Sequence, residues 1–82
     1  MKMNDSELQV VGLLQELSED EFISNGVKEK ILRTISTMNQ DIDVSLKANK
    51  VLDELEQLLE TSSVDTYVRT QIWSVTSLLE TL

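Results

Sequence analysis

Apolar residues recur along the 82-residue chain at intervals of three and four, the spacing that lines one face of an α-helix. Nowhere do they alternate over a length worth reading as a strand. The first helix is predicted from about Asp5 to Ser18, with Met3, Val10, Leu13, Leu14 and Leu17 as its stripe. Asn4 and Glu7 form a reciprocal cap, each able to satisfy a backbone donor of the first turn. Gly12 in the middle of this helix costs up to about 1 kcal/mol relative to Ala, so close approach by a neighbour is its expected reason. Glu19 to Ser24 reads as a turn, with Phe22 and Ile23 pinning it to the core. The second helix is predicted from about Gly26 to Met38, capped by Asn25 or Ser24. Its stripe is Val27, Ile31, Ile35 and Met38, joined by Leu32, while Glu29 and Arg33 make a solvent-facing pair four residues apart.

Asn39 and Gln40 end that helix, and a third begins at an Asp43 cap and continues to about Glu60. Val44, Ala48, Val51, Leu52, Leu55, Leu58 and Leu59 give it the strongest amphipathic pattern of the four. Thr61, Ser62 and Ser63 mark a loop. The fourth helix starts after an Asp65 cap and reaches the C-terminus. Asp43 and Asp65 each also place a carboxylate at the positive end of a helix dipole. Connections this short make successive helices antiparallel neighbours. The expected fold is therefore all-α, a compact four-helix bundle with up-and-down connections, formed by residues 1–82 as one domain. Val27, Val44 and Val68 each lead a helix, but the unequal intervals between them argue against a true repeat array.

Composition narrows what such a bundle does. A formal net charge of −8 repels nucleic acid phosphates and acidic membrane surfaces alike. No apolar run approaches the roughly 20 residues that span a bilayer. The start of the chain, with Lys2, Asn4, Asp5, Ser6 and Glu7, lacks the apolar core of a signal peptide, so a cytoplasmic location is expected. The cations cluster at Lys28, Lys30 and Arg33 and at Lys47 and Lys50, and the acids crowd at Glu16, Glu19, Asp20 and Glu21. The default reading of these patches is a solvated surface; the alternative is complementary charge that orients a partner.

The residues also speak against catalysis. With no His and no Cys, the chain lacks the usual near-neutral general base, the thiolate nucleophile and the common zinc ligands. No Ser-x-x-Lys spacing occurs. Asp41 with Asp43, and Glu16 with Asp20, are the carboxylate pairs that a divalent cation or acid–base chemistry would use, yet neither belongs to a calcium-loop pattern. Capping and solvation account for them more simply. Gly12 and Gly26 belong to no phosphate-binding loop, and Lys30 points away from Lys28, so the basic group does not converge on one anion. No cofactor is expected.

Residues 67–73 carry the only Tyr and the only Trp. At about 100° per residue, Val68, Ile72, Val75, Leu79 and Leu82 share one narrow arc, which Tyr67 and Leu78 extend. Trp73 lies about 140° from Val68, beside Arg69, Thr66, Ser77 and Glu80. It either fills a groove against the first helix or the Phe22 turn, or anchors a protein contact, with Arg69 able to stack on the indole. A homodimer or another protein is the partner expected in the second case, and Leu46, also off its stripe, could join a contact surface. The alternative function is binding of a small molecule or divalent metal through surface carboxylates.

Val51-Leu52-Asp53-Glu54-Leu55, Arg69-Thr70-Gln71-Ile72-Trp73 and Ser77-Leu78-Leu79-Glu80 together resemble an archaeal family of small acidic helical proteins, uncharacterised protein family 0147. The resemblance covers most of the chain, with Arg-Thr-x-Ile-Trp its distinctive part. It departs at the second helix, where Asn25-Gly26 replaces a Pro often seen there. It implies a compact four-helix bundle in an archaeal cytoplasm and implies no activity.

Overall fold

The computed structural model describes residues 3–61 and 64–82, and the expected loop positions Ser62 and Ser63 lie outside them. Helix α1 runs Asp5–Ser18, α2 Asn25–Met38, α3 Val44–Thr61 and α4 Thr66–Leu79, with no strand among the described residues. Each start has a local chemical cause. The Asn4 side chain accepts from the Glu7 N–H at 2.8 Å, and Glu7 Oε1 accepts from the Asn4 N–H at 3.3 Å, completing the capping box. Ser24, not Asn25, caps α2 through Val27 N–H, so that helix begins one residue earlier than Gly26. Asp43 opens α3 by accepting Ser45 N–H on its carboxylate and Lys47 N–H on its carbonyl. Asp65 caps α4 through Val68 N–H at 2.9 Å. α3 extends to Thr61, and α4 stops at Leu79, short of the C-terminus.

The helices close a ring: α1 packs on α2 and α4, and α3 packs on α2 and α4, leaving α1 and α3 across a diagonal. The turn at Phe22–Ser24 lies against Val64, Asp65 and Val68 at one end of the bundle, whereas Met3 and Glu7 lie near Met38–Asp41 and Lys47 at the other. Neighbouring helices are therefore antiparallel, as short connections require. The core between them is Val10, Leu14 and Leu17, then Val27, Ile31, Ile35 and Met38, then Ala48, Val51, Leu55 and Leu58, then Val68, Ile72, Val75 and Leu79. Each set repeats at three and four, which turns one face of each helix inward. The radius of gyration is 11.8 Å, close to the roughly 11.7 Å of a compact chain of this length.

Four sequence expectations need correction. Phe22 does not pin its turn: it is 82% exposed, and Ile23 alone packs against the core. Leu32 lies outside the α2 stripe and is exposed, because the buried face is shifted toward Thr34 and Thr37. Those two hydroxyls reach the core by turning back onto their own helix, Thr34 to the Lys30 carbonyl at 2.9 Å and Thr37 to the Arg33 carbonyl at 3.2 Å. Glu54 Oε1, 2.9 Å away on α3, is an alternative acceptor for the single Thr37 hydrogen. Gly12 accommodates no close neighbour, since a Cβ built there meets nothing within 4 Å.

The last correction concerns charge. Lys47 is not part of the solvated cationic surface, and Glu7 is more than a cap. Both are 4% exposed, and Lys47 Nζ donates to Glu7 Oε2 at 2.9 Å, joining α1 to α3 across the diagonal. The Lys47 hydrogen bond, with a lesser contribution from the Asn4 backbone N–H and the nearby ammonium charge, holds the Glu7 carboxyl below its ordinary range, although burial opposes this.

Candidate functional site

The α4 helix divides its side chains among three directions. Val68, Ile72, Val75 and Leu79 face the core. Tyr67 and Gln71 face the seam with α1, where they meet Leu13, Glu16, Leu17 and Asp20. Arg69, Trp73 and Glu80 lie on the other flank, because 100° per residue places them within about 40° of one another. Of the residues singled out beforehand, Thr66, Trp73, Ser77 and Glu80 are exposed and Arg69 is half-buried.

Trp73 is 53% exposed. The alternative in which it fills a groove against α1 or the Phe22 turn therefore fails: α1 lies on the Tyr67 side of α4, and Phe22 is itself in solvent. Hydroxyls around the indole are engaged with their own helix. Thr70 donates to the Thr66 carbonyl at 2.9 Å, Ser74 to Thr70 at 3.2 Å, and Thr76 to Trp73 at 2.8 Å. With their protons turned inward, these side chains present little competing polarity beside the ring. The resulting face is an exposed aromatic flanked by one cation and one anion.

The turn between α1 and α2 supplies a second unusual surface, which sequence reasoning missed. Glu19, Asp20, Glu21, Phe22, Asp65 and Tyr67 line an open cleft of about 580 Å³. Asp20 Oδ1 accepts the Phe22 N–H at 2.8 Å in a side-chain turn, and the Phe22 ring is exposed. The signal lay in the sequence as the juxtaposition of an aromatic with an acidic run at a helix end.

The remaining candidates stay dispersed. Lys30 and Arg33 line a shallow groove of about 260 Å³ with Glu54, Gln57 and Leu58, and Lys28 is not part of it. Among the described residues, no three Asp or Glu side chains gather closely enough to hold a metal ion, so neither Asp41 with Asp43 nor Glu16 with Asp20 gains a third ligand. Leu46 is exposed on α3. No helix among the described residues is long and apolar enough to cross a membrane.

The family model described as Uncharacterised protein family (UPF0147) matches residues 1–82, and the chain belongs to that family. No match was found among curated proteins or among solved structures.

Proposed function

We propose that this UPF0147 protein is a non-enzymatic interaction module that docks a protein, first of all a second copy of itself, on the outer face of α4. The observation that carries the reading is the exposure of Trp73 on a helix whose other large apolar side chains, Tyr67 apart, turn inward. Trp is enriched at the centres of interfaces, and covering the remaining half of an indole contributes about 2–3 kcal/mol to a complex. Small bundles also have little core to spare, which favours association.

The face suits an isologous contact. If two α4 helices pack antiparallel about a two-fold axis near residues 74 and 75, Arg69 meets Glu80 of the second copy, and each Trp73 lies over the other copy's Thr76. The charges then pair twice, and the two rings cover adjacent helical turns. Sedimentation of the full chain from micromolar to millimolar concentration tests this. A dimer is expected that Trp73→Ala or Arg69→Glu weakens at least tenfold without loss of helicity, and Arg69→Glu combined with Glu80→Arg should restore it. A protein that stays monomeric throughout, with its Trp fluorescence fully open to a neutral quencher, would exclude the self-association form.

A further inference from the structure

The cleft at the α1–α2 turn breaks two local rules at one place. Phe22 is 82% and Tyr67 59% exposed, so two aromatic rings stand in water beside one another. The acids Glu16, Glu19 and Asp20 sit at the C-terminal end of α1, where the helix dipole is negative and favours cations, and the last turn of α1 contains no basic residue. Neither arrangement stabilises the isolated chain. Both become favourable when positive charge enters the cleft. The four carboxylates of Glu19, Asp20, Glu21 and Asp65 line the same cleft as the rings, and no basic residue among the described residues lines the opening.

We propose that this cleft is a docking site for a basic peptide segment of a partner protein. An Arg or Lys side chain of the segment lies over the Phe22 or Tyr67 ring, and the surrounding carboxylates accept its N–H donors. The site is open and wide enough for several residues of extended peptide rather than enclosed around one small cation. Charge selects the occupant: the rim complements a segment denser in Arg and Lys than any run of this chain, and nucleic acid presents only negative charge to it. The cleft lies at the α1–α2 end of the molecule, on the flank of α4 opposite Trp73, so the two surfaces can be occupied independently.

The probe is a fluorescein-labelled nine-residue peptide of alternating Arg and Ser, titrated by anisotropy against the full chain at low and at 150 mM salt. Phe22→Ser and Tyr67→Ser are each expected to weaken binding about two- to fivefold, the range of an exposed cation–aromatic contact. Tyr67→Phe should bind like the natural protein, because the ring and not the hydroxyl is used. Glu19→Gln with Glu21→Gln should cost more than Glu56→Gln with Glu60→Gln, which removes the same charge from the outside of α3. Phe22 is so exposed that its replacement leaves the fold intact, which circular dichroism verifies. Equal losses from both glutamine pairs, or no loss from Phe22→Ser, would reduce the attraction to net charge and overturn the proposal. So would tetramethylammonium or free arginine amide binding as tightly as the peptide, since the occupant would then be a small cation. Trp73→Ala should leave peptide binding unchanged, so this site and the α4 contact succeed or fail separately.

Discussion

A lysine and a glutamate buried together at one end of the bundle show how far residue type can mislead. Lys47 lies about 20° from Leu58 on the α3 wheel, and Glu7 about 20° from Leu14 on α1, so both occupy core positions by spacing. Their charge suggested solvent; their spacing suggested burial, and spacing prevailed because each supplies the other's partner. Such a pair contributes little over a well-packed apolar one, but losing one member strands the other. Lys47→Met is accordingly expected to destabilise the fold by about 3 kcal/mol, and adding Glu7→Gln, which can keep the cap, should recover most of it. Urea unfolding of the natural protein and the two variants measures this. The pair also sets an acid limit. The folded Glu7 carboxyl titrates below its ordinary value of 4.5, so its contribution is complete above that pH and disappears as pH falls through the folded value. Stability of Glu7→Gln should consequently fall less than that of the natural protein as pH is lowered below 4.5.

Helices carry most of what was legible in advance. The caps at Asn4, Asp43 and Asp65 depend on side chains reaching their own backbone, a local interaction that sequence records directly. Ser24 and Asn25 are both good caps, so the α2 start stayed ambiguous until tertiary structure chose between them. Exposure of Phe22 and Leu32 was illegible for the opposite reason: it depends on which face neighbouring helices leave uncovered. At Gly12 the cost of a glycine in a helix implies no packing use. Because its helical position has open space for a methyl group, Gly12→Ala should stabilise α1 by up to about 1 kcal/mol and raise the thermal midpoint by about 4–8 °C. A midpoint that falls in calorimetry would mean that the folded chain does not accommodate the methyl group. The Trp73 face, by contrast, was half legible. The wheel put Arg69, Trp73 and Glu80 on one flank, but whether another helix covered that flank was a question of ring order.

At the scale of the whole molecule, ring order decides which surfaces remain for partners. Since α1 fills the Tyr67 side of α4, the aromatic residues six apart in sequence serve opposite flanks, one in the acidic cleft and one alone with Arg69. The same order gives the buried ion pair a role in time. Its members are 40 residues apart and belong to diagonal helices, so they meet only after α2 has brought the two hairpin halves together. If a contact made that late is absent from the rate-limiting ensemble, its loss is felt on the way out of the native state. Lys47→Met should leave the refolding rate nearly unchanged and accelerate unfolding about 100-fold in stopped-flow measurements. That outcome would make the pair a latch at the end opposite the acidic cleft, on which the lifetime of the folded bundle and its resistance to irreversible loss depend.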